Sequence, residues 1–353
     1  MRSDFNINNL IRPNVVNLKP YSSARDEYQS TGNSMIFLDA NENPFPTNVN
    51  RYPDPQQRQL KSLLGELKGI DPLHILLGNG SDEVLDLIFR AFCAPGKSNV
   101  ITLPPTYGMY GVLANINDIE NREVLLSEEF EPRIEEIFQV VDDRTRIIFL
   151  CSPNNPTGNS FSEDKVIEIL QRFNGLVVID EAYIDFAEKE SWLKKLNEFP
   201  NLVITQTLSK AYGLAGIRLG ICYASMEIIA VLNKIKPPYN VNELSQERAL
   251  ERLNSAEVVS AEISDILLQR DRLIKALHEV SFVNKVYKSD ANFILIGVDD
   301  ANKRYEQLLE MGIVIRNRSS QPLCTNTLRI TVGTSLENSE LLQAFNDISK
   351  NKI

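Results

Sequence analysis

Histidine and cysteine are scarce in this chain, at two and four among 353 residues. Cys93, Cys151, Cys222 and Cys324 show neither a CxxC pair nor any metal-ligand spacing, which argues against a metal centre. His74 and His278 are isolated and read as structural rather than catalytic. Cys151 and Cys222 sit inside apolar runs and read as small core residues. Basic runs are also missing: Lys and Arg number 37 against 47 Asp and Glu, a formal charge of -10. A nucleic-acid footprint is thereby excluded, and any phosphate site needs locally placed arginines. No apolar run approaches the roughly 20 residues that span a bilayer. The polar start Met1-Arg-Ser-Asp-Phe5 carries no apolar signal region, so a cytoplasmic protein without a membrane partner is expected. Internal repeats and low-complexity tracts are absent as well.

What is present is an ordinary globular composition, 43% apolar and 24% charged, long enough for one large core and a smaller one. The chain is organised around Thr207-Leu-Ser-Lys210-Ala-Tyr-Gly-Leu-Ala-Gly-Ile-Arg218-Leu-Gly220. It follows Asn201-Leu-Val-Ile204, an apolar run that predicts a buried parallel strand. Lys210 can condense with an aldehyde while Thr207, Ser209 and Arg218 hold a phosphate beside it. That combination describes the anchoring of pyridoxal 5'-phosphate (PLP). A solvated surface lysine is the alternative for this stretch alone.

Taken in order, residues 1–35 lack sustained periodicity and predict an arm with one short helix at most. Ile36-Phe-Leu38 predicts a short strand that runs into the turn Asp39-Ala-Asn-Glu-Asn-Pro44. A helix follows over about 56–68. His74 to Gly78 predicts a strand ended by glycine, with a helix beginning at Ser81. Gly80, Ser81 and Asp82 offer an anion the free N–H groups of a helix N-terminus; a plain capped start is the alternative. A strand over 99–103 closes at Pro104-Pro-Thr-Tyr107, whose ring can stack on a planar group or pack in the core. The next strand, 146–151, turns at Ser152-Pro-Asn-Asn155-Pro156, where the two asparagines are rigidly presented. After a helix over about 162–173, the strand 175–179 reads straight into Asp180-Glu-Ala-Tyr183. An acid closing an apolar strand is costly to bury unpaired. A protonated pyridine nitrogen suits Asp180 as a partner; an N-cap role is the alternative. Strands over 201–206 and 217–224 flank the lysine loop, and all these candidates sit at strand ends of the kind where open α/β sheets bind ligands.

A charged amphipathic helical region reaches about 279. Beyond it come shorter elements: strands over 282–287, 291–297, 313–316 and 328–332, and helices near 302–311 and 336–349. This second α+β unit carries Arg316, Arg318 and Arg329 on or beside apolar strands. Arginines so placed suit bidentate capture of carboxylate or phosphate, with exposed edge positions as the alternative.

Eight ordered motifs now stand together: Leu38 to Pro44, Arg51 to Asp54, Gly80 to Glu83, Pro104 to Tyr107, Ser152 to Gly158, Ile179 to Tyr183, Thr207 to Lys210 with Arg218, and Leu328 to Gly333. From about residue 10 to the C-terminus the chain resembles the fold-type I PLP-dependent aminotransferases. Within them it is similar to the branch acting on histidinol phosphate. The resemblance implies an α/β fold: a large domain with a mostly parallel seven-stranded sheet flanked by helices, and a smaller α+β domain. It divides the chain into an arm and first part of the small domain (1–48), a large PLP-binding domain (49–279) and a C-terminal small domain (280–353). Lys210 then matches the lysine bonded to the cofactor, and Asp180 the partner of its ring nitrogen. Tyr183 and Asn155 match groups on the ring oxygen, and Tyr107 the stacked aromatic. Gly80, Ser81, Asp82, Thr207, Ser209 and Arg218 match the phosphate cup. Tyr52 matches a tyrosine reaching the cofactor phosphate from the other subunit, which implies a homodimer. Arg329 matches the arginine holding the glutamate α-carboxylate, and Tyr21, Asn155 and Arg316 match groups lining the substrate site. The implied substrates are L-histidinol phosphate and the 2-oxoglutarate/glutamate pair, in histidine biosynthesis. Three rivals remain open: an aminotransferase for aromatic or other amino acids, a PLP-dependent decarboxylase of an amino-acid phosphate, and a regulator that keeps the fold without turnover. Glu42 and Arg318 receive no role.

Overall fold

The computed structural model describes residues 5–21 and 36–350. Residues 22–35 and the chain ends lie outside that range. The large sheet has seven strands, β1 (Ile75–Asn79), β2 (Asn99–Thr102), β3 (Glu120–Glu123), β4 (Thr145–Cys151), β5 (Leu176–Asp180), β6 (Leu202–Thr207) and β7 (Leu219–Ala224). Their spatial order is β1-β7-β6-β5-β4-β2-β3. Only β7 runs against the rest, pairing antiparallel with both β1 and β6.

Strands β5, β6 and β7 are buried along their whole length, in keeping with the apolar runs Leu176 to Ile179 and Leu202 to Ile204 that open β5 and β6. Alternate side chains feed two cores: Val177, Ile179, Leu202 and Ile204 face one side, Leu176, Val178 and Val203 the other. One face is covered by helices α2 (Arg58–Lys68), α5 (Ile134–Val140), α6 (Glu163–Arg172) and α8 (Glu243–Leu253). The other is covered by α3 (Gly80–Phe92), α4 (Met109–Ile116) and α7 (Met226–Ile235). Truncating a fully buried aliphatic such as Ile179 to alanine costs about 2–5 kcal/mol. The N-terminal arm carries a 3-10 turn (Ile7–Asn9) and the single-turn helix α1 (Pro13–Val16), and its Leu10 and Val15 join the second core.

Helix α9 (Ala256–Leu277) leads into the smaller unit, where β8 (Val283–Val286), β9 (Phe293–Val298), β10 (Arg316–Asn317) and β11 (Thr327–Thr331) form an antiparallel sheet ordered β10-β11-β9-β8. Helices α10 (Ala301–Glu310) and α11 (Ser335–Ser349) complete its core with the end of α9. A small apolar seam of Tyr183, Phe186, Ala211, Ala291 and Phe293 joins the lysine loop to β9. Among the described residues no helix is long and apolar enough to cross a membrane.

Four differences from the sequence reading stand out. Residues 36–38 form no strand; Ile36 and Leu38 are 86% and 89% exposed. The region expected as a strand over 313–316 pairs only at β10. The long helical region breaks between α8 and α9 at Asn254-Ser255. Strand β3, sequence Glu-Asn-Arg-Glu, has no apolar alternation and becomes a strand solely by pairing with the edge of β2.

Candidate active site

The carboxyl ends of β1, β2, β4, β5 and β6 open on one edge of the sheet, and the start of antiparallel β7 meets them there. One cavity at this edge is lined by Ser81, Asp82, Tyr107, Cys151, Asn155, Asp180, Ala182, Tyr183, Thr207, Ser209, Lys210 and Arg218. Ten of these were read from sequence as site residues; Cys151 and Ala182 were not.

Asp180, at the end of β5, is the floor. It is 3% exposed. Tyr110 donates its hydroxyl hydrogen to Asp180 Oδ2 at 2.9 Å, while Oδ1 is buried with no hydrogen-bond partner. Burial pushes the carboxyl pKa up, and the Tyr110 hydrogen bond opposes that shift. Lys210 is open to solvent on one side, yet its pKa is lowered, first by partial desolvation and then by Arg329, with Asp180 opposing. Its Nζ stands 5.6 Å from the centre of the Tyr183 ring. Burial likewise raises the Tyr183 phenol, with Arg329 and Arg318 pulling it down.

An anion cup lies at the mouth. The hydroxyls of Thr207 and Ser209 are 3.0 Å apart, and the Ser209 amide donates to Thr207 Oγ1 at 3.1 Å. Arg218 adopts a left-handed backbone (φ 56°) and its Nη2 lies 3.5 Å from Asp82 Oδ2. The Tyr107 hydroxyl donates to Asp82 Oδ1 at 3.0 Å. Helix α3 starts here, so its first-turn amides have no intrahelical acceptor and face the cup with the positive end of the helix dipole. Gly80 is required twice: its φ is 76°, and a Cβ would stand 2.5 Å from Arg218 Nη2. Asn154 ties the two neighbouring loops together, donating to the Pro105 carbonyl at 2.8 Å and accepting from Thr106 Oγ1 at 2.9 Å.

Three arginines reach the same edge from the smaller sheet. Arg329 Nη1 donates to Asn155 Oδ1 at 2.5 Å, and its guanidinium lies 5.2 Å from the centre of the Phe293 ring. Burial, helped by Arg318 and Arg316, brings the Arg329 pKa down to about 10. Arg316 is its register partner across β10 and β11, and is exposed. Tyr52 and Tyr21 are placed elsewhere. Tyr52 is half exposed and stacks on Tyr239 at 4.5 Å, away from its own chain's cavity. Tyr21 borders a separate groove with Arg12, Arg90 and Lys234, and the segment following it lies outside the described residues.

The cavity thus presents a lone carboxylate oxygen, an amine and an anion cup, a donor set that fits a phosphate-bearing aromatic aldehyde. The family profile for class I and II aminotransferases matches residues 40–345. The chain belongs to that family. A histidinol-phosphate aminotransferase from Flavobacterium johnsoniae is 66% identical over 340 residues, covering 96% of this chain and 97% of that one. Among solved structures, the histidinol-phosphate aminotransferase from Clostridium acetobutylicum superposes with a TM-score of 0.80 at 25% identity, over 86% of this chain and 92% of that one. The enzyme of that name from Sinorhizobium meliloti, in complex with pyridoxal-5'-phosphate, gives 0.78 at 22% identity over 87% and 84%, a likeness of fold.

Two parts of this aminotransferase site escaped the sequence reading. Tyr110 lies in the first turn of α4, three residues after Tyr107 in the loop, and the closeness of the two tyrosines in sequence was the available signal. Gly220 lets β7 touch the start of α3: a Cβ there would stand 2.2 Å from the Ser81 amide nitrogen. No local pattern announces that approach.

Proposed function

We propose that this aminotransferase moves the amino group of L-histidinol phosphate to 2-oxoglutarate, giving imidazole acetol phosphate and glutamate, in histidine biosynthesis. The observation that carries the reading is one cavity holding the Lys210 amine above the unpartnered Asp180 oxygen, beside an anion cup. The close relatives' names supply the substrate.

The cofactor is PLP, and the residues fit it. Asp180 Oδ1, buried without a donor, would accept a ring N–H and hold that proton in place. Tyr183 and Asn155 would hydrogen-bond the ring oxygen, and Tyr107 would lie against the ring. The α3 amides at Ser81 and Asp82, with Thr207, Ser209 and Arg218, would hold the phosphate. When bound, PLP supplies an electron-withdrawing ring that carries the amino group between the two substrates. Lys210 would anchor the cofactor's aldehyde carbon and, as a neutral amine, would take the proton from the substrate α-carbon. Its pKa is lowered by partial desolvation and by Arg329, which favours that neutral form. Arg329 would hold the α-carboxylate of glutamate, and Arg316, its register partner, would line the substrate site beside it.

The protein works as a homodimer in this reading, with Tyr52 entering the partner's site. Supporting it, Tyr52 is half exposed and does not line its own chain's cavity, and Ile36, Leu38 and Phe45, near it in sequence, are 74–89% exposed. A donor panel tests the function: L-histidinol phosphate, phenylalanine and threonine phosphate, each with 2-oxoglutarate. Histidinol phosphate gives the highest kcat/KM if the reading holds. Preference for phenylalanine, or carbon dioxide release from threonine phosphate, overturns it.

A further inference from the structure

Arg318 has no role in the site as described so far. Its backbone is fixed on both sides: its amide donates to the Thr327 carbonyl at 2.9 Å, and its carbonyl accepts from the Gln321 amide at 2.9 Å. The neighbouring Asn317 points the other way, donating to Asn302 Oδ1 at 2.7 Å. Arg318 directly follows β10, and its charge, like that of Arg316, the register partner of Arg329, acts on Arg329, so the three guanidinium groups share one face.

This face carries three guanidinium groups and no counter-charge. Among the described residues no carboxylate pairs with Arg316, Arg318 or Arg329; the charged and titratable groups acting on Arg318 are Arg316, Tyr183 and Cys324, together with Arg329, on which it acts in turn. Arg318 Nε and Arg329 Nε are both buried without an acceptor. Burying like charges together is unfavourable unless an anion arrives to pair with them. The two substrates differ in what they bring. A phosphate monoester concentrates about -1.5 to -2 on one group near neutral pH, whereas glutamate spreads its negative charge over two separate carboxylates of one charge each. One arginine matches a carboxylate; the phosphate is matched by two on the same group.

We propose that Arg318 is a specificity-determining residue: with Arg316 it holds the doubly charged phosphate of the amino donor, while Arg329 serves the carboxylate of glutamate. The inference rests on the function proposed above. It assigns the buried Nε of Arg318 an acceptor, and it explains how one pocket takes two differently charged substrates.

The test uses the PLP-loaded enzyme, so that the cofactor's own phosphate cup is filled. The two half-reactions are followed separately through cofactor absorbance in Arg318→Gln and Arg318→Lys. Arg318→Gln is expected to lower kcat/KM for histidinol phosphate about 30-fold, mainly through KM, and to change that for glutamate less than about threefold. Arg318→Lys, which keeps the charge, recovers part of the loss. Inorganic phosphate should bind the loaded wild type in competition with the donor, and about tenfold more weakly to Arg318→Gln. Equal losses in both half-reactions, or no loss in either, overturn the assignment. If the wild type does not turn over histidinol phosphate, the proposed function fails, and the phosphate titration alone decides Arg318: unchanged phosphate affinity in Arg318→Gln refutes its role. If Arg318→Gln does not retain cofactor, the same titration on Arg318→Lys decides, with phosphate affinity equal to wild type and equal half-reactions counting against the proposal.

Discussion

Tyr110 donates its hydroxyl hydrogen to Asp180 Oδ2 at 2.9 Å and leaves Oδ1 buried and unpaired. The two oxygens of one carboxylate are thereby divided, one held by the protein and one presented to the cavity. A hydrogen bond to a charged acceptor is worth about 1.5–3 kcal/mol and favours the ionised form. Tyr110→Phe removes it, so the Asp180 carboxyl rises further above its ordinary range. The expected outcome is a roughly tenfold fall in turnover and a shift of the acid limb of the pH–rate profile to higher pH. A profile unchanged in position would show that Tyr110 does not govern Asp180.

Gly220 brings β7 into backbone contact with the first turn of α3, where an added Cβ would meet Ser81 N at 2.2 Å. Neither backbone can yield without moving the anion cup. Gly220→Ala should therefore cost about 1–3 kcal/mol of stability and also weaken cofactor retention. Melting and PLP titration are read together. Lowered stability with unchanged PLP affinity contradicts the coupling of this contact to the cup.

Glu181, next to Asp180, is fully buried and accepts from Ser191 Oγ at 2.5 Å, the Trp192 amide at 2.7 Å and Gln206 Nε2 at 2.8 Å. Burial pushes its pKa up to about 7 from an ordinary 4.5, with those hydrogen bonds opposing. Between these values the folded protein keeps a proton that the unfolded chain has lost. Stability is therefore highest below about 4.5 for this group and declines as pH rises toward about 7. Denaturant melts across that window should show the decline, and Glu181→Gln should remove it. A wild-type curve that is unaffected by the substitution counts against the protonated state.

Lys210, Asp180 and the anion cup are legible in the sequence because each is local: a buried strand ends, a turn follows, and the chemistry-bearing residue sits in the turn. The large sheet is legible for the same reason, since β5 up to Ile179 and the first half of β6 are apolar runs. Strand β3 is hidden because an edge strand facing water needs no apolar residue. Ile36-Phe-Leu38 misleads in the other direction, an apolar triplet whose Ile36 and Leu38 are left exposed on the single chain. The facing of Arg316 and Arg329 depends on the register between β10 and β11, which no window of sequence contains. Gly220 is invisible for a related reason: its neighbour, Ser81, lies on a distant segment of the chain.

The central claim is a covalent bond between Lys210 and the aldehyde carbon of PLP. Incubating the protein with PLP, reducing with borohydride and mapping peptides by mass spectrometry tests it without reference to turnover. The account predicts a phosphopyridoxyl adduct on Lys210, abolished in Lys210→Ala. An unmodified Lys210, or adducts spread over surface lysines while Lys210 stays free, would contradict it.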